Sequence, residues 1–383
     1  MKRNLLLTPG PTQTPPYVCE ALGKPIIHHR TPQFQENLGE AISGLQHVLQ
    51  TKNDIYLLAS SGTGAMEASV INLVSPGDKV LTVESGKFGE RWTELCQAYG
   101  IHADVIEVPW GSSVSPEEIK SYLETDESIK AVFVTHCETS TGVTTDIKAL
   151  AQVVQKTNAV LVVDAVSSLG VIDLQMDAWG IDVVVSGSHK GFMLPPGLAF
   201  VSLNDKAQRL VEQSTSPKYY FDLRKSKKAL EKNDTPFTPA IGIIIALNAS
   251  LSRFKDQGLA SCFEQYKRLA RGTRAGALAL GLTLFPDESC ISDVLTAICL
   301  PEGVDGGKVV RIMRDTHGIS IAGGQAQLKG KIIRIAHMGC VSKEDIITGI
   351  SYLEKVLAEL GHSFEPEAGV NAAKEIFNSQ AAC

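Results

Sequence analysis

Three polar segments of this sequence sit directly after short apolar runs, and each carries residue types able to do chemistry. In the first, Leu57-Leu58 leads into Ala59-Ser60-Ser61-Gly62-Thr63-Gly64 and then a helix-forming stretch. A helix N-terminus presents unpaired N–H groups and the positive end of a dipole, which suits a phosphate. The glycines let backbone approach an anion, and Ser61 and Thr63 offer hydroxyl donors. A capped turn without any ligand explains the same residues. The segment lacks both the Gly-Lys-Ser/Thr of a Walker loop and the GxGxxG dinucleotide pattern. In the second segment, Asp164 ends Leu161-Val162-Val163-Asp164. Such an aspartate either caps a following helix or accepts a hydrogen bond from a protonated heterocyclic nitrogen. In the third, Lys190 follows Ser186-Gly187-Ser188-His189 and precedes Gly191-Phe192-Met193-Leu194. Lysines after strands are usually solvated, whereas an apolar setting lowers an amine's pKa and suits Schiff-base chemistry.

The elements that must position these segments are legible as a pattern. Apolar runs at 55–58, 79–83, 131–134, 159–163, 181–185 and 198–201 alternate with helical lengths. Continuous apolar strands of this kind predict a mostly parallel sheet covered on both faces. Ligands of such sheets bind beyond the carboxyl ends of the strands, where all three segments fall. Pro236 and Pro239 break the pattern before a helix predicted over 241–256. Beyond Gly258 the sequence predicts helix 259–280, strand 298–300, helix 308–317, strand 332–336 and helix 344–360, a smaller α+β domain. Residues 364–383 read as a loosely held tail able to form a short helix. A chain of 383 residues exceeds the size at which single cores stop growing, roughly 250–300 residues. The expected division is an N-terminal segment 1–15, a large domain 16–257 and a small domain 258–383.

Composition narrows the function classes. Hydrophobic residues make up 44% and charged residues 20%, ordinary for a soluble globular protein. A net charge of −6 argues against a nucleic-acid surface, which needs clustered positive charge. The one basic stretch, Arg224-Lys225-Ser226-Lys227-Lys228, reads as a solvated helix face. No apolar run approaches the roughly 18 residues of a membrane span. The stretch after Met1-Lys2-Arg3 is too short for a signal peptide, and the terminal Ala381-Ala382-Cys383 is neither a peroxisomal address nor a prenylation box. Eight cysteines lack metal-type spacing and read as reduced thiols, so a cytoplasmic location is expected. His28 and His29 do not read as a metal site: neighbours on a strand point apart, and no carboxylate or cysteine sits at ligand spacing.

Taken together, the chain resembles the class V, fold type I aminotransferases that use pyridoxal 5′-phosphate (PLP), in the alanine–glyoxylate and serine–pyruvate branch. The resemblance runs through Thr8-Pro9-Gly10-Pro11-Thr12, Ser61-Gly62-Thr63-Gly64-Ala65-Met66-Glu67-Ala68 and Gly86-Lys87-Phe88-Gly89-Glu90-Arg91. It continues in His136-Cys137-Glu138-Thr139-Ser140-Thr141-Gly142, Val163-Asp164-Ala165-Val166-Ser167-Ser168 and Ser186-Gly187-Ser188-His189-Lys190. Thr235-Pro236-Phe237-Thr238-Pro239 and Ile333-Arg334-Ile335-Ala336-His337 close it.

The resemblance implies a role for each matching position. Lys190 would form the Schiff base and move a proton between the substrate Cα and the cofactor. Asp164 would hold the pyridine nitrogen, with Val166 and Phe88 against the two ring faces and Thr139 near the ring hydroxyl. Ser61, Gly62, Thr63 and His189 would hold the phosphate, joined by Thr238 of a partner subunit in a homodimer with shared sites. His189 stands where glutamine is common, and an imidazole N–H still donates. Arg334 would clamp the substrate carboxylate and backbone near Gly10 would close the pocket. The reaction implied is a ping-pong transfer from alanine or serine to glyoxylate or pyruvate. No second arginine for a distal carboxylate is evident, which favours small substrates. Two alternatives stand beside it: a lyase such as a cysteine desulfurase, and a non-catalytic assembly subunit. The first needs a cysteine on the loop ahead of Arg334, and 318–333 contains none.

Overall fold

In the computed structural model, residues 4–379 are described; the terminal Ala381-Ala382-Cys383 lies outside them, as does the stretch Met1-Lys2-Arg3. Aliphatic runs with no polar face become strands buried from both sides. Six such runs and one edge strand form a single sheet in the order Ile55–Leu58, Ala199–Leu203, Val183–Gly187, Val160–Asp164, Ile129–Thr135, Lys79–Glu84 and His102–Glu107. Only Ala199–Leu203 runs antiparallel to its neighbours. Every residue of Val160–Asp164 and Val183–Gly187 is buried. One apolar layer covers each face, one built around Phe34, Leu45, Phe192 and Phe254, the other around Met66, Trp92 and Phe133.

Register fixes what the sheet delivers to its edge. Thr135 lies opposite Asp164, and Asp164 opposite Val185; the first two strands end level and the third runs on to Gly187. Each is followed at that edge by a polar turn. A second sheet, ordered Thr283–Leu284, Leu295–Cys299, Ile332–Ala336 and Ala322–Gly323, carries Arg334 in its interior. Its core gathers Tyr266, Ile298, Ile333, Met338 and Leu357, and Leu7 from the chain's beginning joins it. Leu5 pairs with Ile319, and Ala336 N–H donates to the Leu7 carbonyl at 2.8 Å.

Three sequence expectations change. The strand His102–Glu107 has no apolar run behind it: it is an edge strand, and of its residues only Ile106 is buried. The tail forms the short helix expected of it, but among the described residues it is packed rather than loosely held. Ala368–Asn378 is a helix with Gly369, Val370, Ala373 and Phe377 buried, and Val370 N–H donates to the buried Glu354 carboxylate at 3.0 Å. His28 and His29 lie outside any strand, and their rings approach at 4.9 Å rather than pointing apart. Among the described residues no group of His, Cys, Asp or Glu comes together as a metal site. The predicted helices recur as Ile241–Gln257, Leu259–Ala279, Gly306–Asp315 and Lys343–Glu359, and the strand predicted at 298–300 begins earlier, as Leu295–Cys299. The basic stretch lies on the helix Leu223–Leu230. No helix among the described residues is long and apolar enough to cross a membrane.

Candidate active site

Lys190 is reached by a short descent from the strand Val183–Gly187, through Ser188 and His189. It is only 7% exposed, so it is not a solvated loop lysine. Burial pushes its amine down to about 8, with the Asp164 carboxylate opposing and the Arg334 and Arg91 charges adding to the fall. Its Nζ donates to the Pro9 carbonyl. Gly10 passes so close, at φ +110°, that a Cβ there would stand 2.6 Å from Nζ. A side chain at that position would be strained and would fill the space around the amine.

Asp164 closes its strand but does not cap a helix; its Oδ1 accepts the Val166 N–H at 2.8 Å in a tight turn. The other oxygen accepts no hydrogen bond among the described residues. Burial pushes the carboxyl up to about 6 against that N–H; the Glu138 charge adds to the rise, and Arg91 and Lys190 oppose it. The helix Gly62–Leu73 begins after Ser61, whose side chain makes no capping hydrogen bond; Gly64 N–H donates to the Ser61 carbonyl at 2.9 Å, which leaves the N–H groups of Gly62 and Thr63 as the first-turn donors at the cavity wall. A Cβ at Gly62 would meet Val166 Cγ2 at 2.5 Å, which brings turn and helix into direct packing. His189 contributes a buried Nδ1 with no hydrogen-bond partner among the described residues. Burial, then the nearby Lys190 charge, holds this imidazole down to about 4, so it is neutral near pH 7.

Ser61, Gly62, Thr63, Phe88, Asp164, Val166, His189 and Lys190 therefore line one cavity, together with Cys137 and Arg91. Arg334 and Thr139 meet beside it. Arg334 Nη1 donates to the Thr139 carbonyl at 2.6 Å, while Nε and Nη2 donate to Gly323 O at 2.9 and 2.7 Å. A guanidinium has five N–H donors, so one hydrogen on each terminal nitrogen remains for a ligand. Thr238 is exposed and belongs to a separate recess with Pro236 and Phe237, outside this cavity. A wider cleft of about 650 Å³, lined by residues such as Tyr17, Arg253 and Ser342, holds none of the predicted residues.

Sequence reasoning passed over three side chains here. Glu138 is fully buried, and its Oε2 accepts the N–H groups of Phe88 and Gly89 at 3.0 and 2.9 Å. Its other oxygen takes Ser140 N–H and Oγ–H. It thus anchors the N-terminus of the helix Lys87–Ala98, which carries Phe88 and Arg91. Arg91 also lines the cavity, held against Thr63 and Phe88. Cys137 is inert in this setting: burial pushes its thiol up to about 12, and it bonds Ser292 Oγ at 3.2 Å. The signal for Glu138 or Arg91 was their place in the motifs given above, because Glu138 reaches Phe88 and Gly89, and Arg91 reaches Thr63, across separate segments of the sequence.

Residues 5–345 match the aminotransferase class-V family. A protein of Anabaena cylindrica named soluble hydrogenase 42 kDa subunit is 44% identical over 379 residues, 98% of this chain and 99% of that protein. The L-aspartate–glyoxylate aminotransferase of Paracoccus denitrificans is 39% identical over 386 residues, 99% of this chain and 98% of its own. The solved ureidoglycine–glyoxylate aminotransferase of Bacillus subtilis superposes with a TM-score of 0.95 at 29% identity, covering 99% of both chains. The cofactor of this family, PLP, suits the donor set: a buried amine for its aldehyde, a half-unpartnered carboxylate for its ring nitrogen, and a helix N-terminus with an orphaned imidazole nitrogen for its phosphate. Sequence match and fold agree across nearly the whole length, and the chain belongs to the PLP-dependent class-V aminotransferases, in their glyoxylate-type branch.

Proposed function

We propose that this enzyme moves an amino group from alanine or serine to glyoxylate or pyruvate by a ping-pong sequence. The observation that carries the proposal is a buried amine and a buried carboxylate in one cavity at the edge of the larger sheet, with the half-free guanidinium of Arg334 brought beside them from the second sheet. PLP, when bound, supplies an electron sink for the charge left as the substrate Cα loses its proton. The residues of the chain do the rest. Lys190, with its amine already brought near neutral pH by burial, takes the Cα proton and returns it on the other side of the transfer. Asp164 holds the proton on the ring nitrogen. Ser61, Gly62, Thr63 and His189 secure the phosphate, Phe88 and Val166 flank the ring, and Thr139 lies near its hydroxyl. The two remaining N–H groups of Arg334 bind the substrate carboxylate, and the close approach of Gly10 narrows the pocket around Lys190.

The donor is the finer part of the proposal. Arg91 is tied to Thr63 and Phe88, which supports small donors over those with a distal carboxylate, although the Paracoccus relative carries aspartate in its name. A screen of alanine, serine and aspartate against glyoxylate, pyruvate and 2-oxoglutarate should find alanine or serine with glyoxylate or pyruvate fastest. Aspartate leading the series would overturn the donor assignment. Replacing Lys190 with Ala should remove the visible cofactor absorption and nearly all transfer. We also propose a cytoplasmic homodimer in which Thr238 reaches the partner's phosphate; the exposed Tyr219 and Tyr220, stacked around Phe237 next to Thr238, support a covered surface there.

The hydrogenase name of the Anabaena relative favours one second reading, an assembly subunit without turnover. Titrating the cofactor-free protein with PLP separates the two, since an assembly subunit has no need to bind it. The desulfurase alternative finds no support, with Cys137 fixed by Ser292 and no cysteine over 318–333.

A further inference from the structure

Arg91 lines the cofactor cavity without having been assigned any task there. Its Nη1 donates to Thr63 Oγ1 at 3.2 Å, and its guanidinium carbon stands 4.9 Å from the centre of the Phe88 ring. These two contacts join walls that are built independently. Thr63 belongs to the first turn of the helix Gly62–Leu73, whereas Phe88 and Arg91 lie one turn apart on Lys87–Ala98. The start of the second helix is fixed in turn by the Glu138 carboxylate.

The direction of the Thr63 bond has a chemical consequence. A guanidinium only donates, so the Thr63 oxygen is the acceptor and its own hydrogen must go elsewhere. At a helix N-terminus, the partner that suits this hydrogen is an anion held by the same first-turn N–H groups. Without Arg91 the hydroxyl is free to rotate between donating and accepting. We propose that Arg91 is a positioning residue for the phosphate of PLP, acting by fixing the Thr63 hydroxyl as a donor and by steadying the Phe88 ring. The proposal rests on the PLP reading above. It assigns Arg91 no contact with the reacting atoms.

The test compares PLP with pyridoxal, which lacks the phosphate, by equilibrium titration of the cofactor-free full-length protein. In Arg91→Met, PLP binding should weaken about tenfold or more, the scale of a lost hydrogen bond to a charged group, while pyridoxal binding weakens by less than about threefold. Thr63→Val should lower the PLP-to-pyridoxal preference similarly. Because Arg91 acts through Thr63, the double variant should lose no more of that preference than Thr63→Val alone. Arg91→Lys, which keeps a cationic donor, should recover part of the preference and guards against a misfolded Arg91→Met protein. An unchanged preference in Arg91→Met, or additive losses in the double variant, would overturn the inference. Failure of the wild-type protein to bind PLP at all would sink the proposed function, and this inference with it.

Discussion

The amine of Lys190 is the residue on which reactivity turns, and its environment makes a pH prediction. Burial brings it down to about 8 from an ordinary 10.5, and only the neutral amine attacks an aldehyde. The neutral fraction grows as pH rises, so the rate of PLP uptake by the cofactor-free protein should climb through about pH 8 and then level off. Stopped-flow absorbance gives this profile directly; a rise that continues to pH 10.5 would mean the lysine is solvated. Arg334 makes a separate prediction, because three of its hydrogen bonds go to the chain's own carbonyls and two N–H groups remain. Arg334→Gln removes the charge and the fork, and should raise the KM of the amino donor about tenfold to a hundredfold. PLP binding should be little changed if, as proposed, Arg334 serves the substrate rather than the cofactor. A large fall in PLP affinity instead would place Arg334 in the cofactor's support.

Helices and strands decide whether those side chains arrive, and the C-terminal helix is the element most misjudged from sequence. Ala368–Asn378 buries Phe377 at 5% exposure against Gly272 of Leu259–Ala279. Phe377→Ala should therefore cost about 3–5 kcal/mol of stability, as truncation of a buried aromatic ring does. Chemical denaturation measures it, and a loss below about 0.5 kcal/mol, the range of surface substitutions, would restore the loose-tail reading. The misjudgement has a plain cause: an Ala/Glu-rich segment looks solvated until the groove that receives it is known. The edge strand His102–Glu107 escaped for a related reason, because its alternation of charged and small residues is pinned by pairing with Lys79–Glu84. By contrast, the buried strands and the residues just beyond them were legible, since an apolar run with a polar terminus has few other uses. Lys190, Asp164 and the Ser61–Thr63 turn belong to that class. Glu138 and Arg91 do not: each acts on a residue of a different segment, and only the folded sheet edge brings those segments together.

At the scale of the whole molecule, the site draws on both sheets and on the chain's beginning. Leu7 is packed in the core of the second sheet while Pro9 and Gly10 touch Lys190, so the segment after the strand Leu5–Leu6 leads from that sheet to the cavity. Thr238, which we propose belongs to the partner's site, is exposed beside Tyr219, Tyr220 and Phe237 and does not line its own cavity. If Thr238 serves the partner's phosphate, two damaged chains should repair each other. Take Lys190→Ala, which cannot form the visible cofactor band, and Thr238→Ala, which should bind PLP weakly. In a hybrid dimer, the chain carrying Thr238→Ala keeps its own Lys190 and receives an intact Thr238 from its partner. Random re-pairing makes half the dimers hybrid, each with one complete site of two, so about a quarter of all sites should regain wild-type affinity. Unfolding and refolding the two variants together, then titrating PLP at the visible band, should show a tight phase of about that size. Mixing the folded variants without re-pairing should show none. Were Thr238 to act within its own chain, no hybrid would contain a complete site and the tight phase would be absent in both samples.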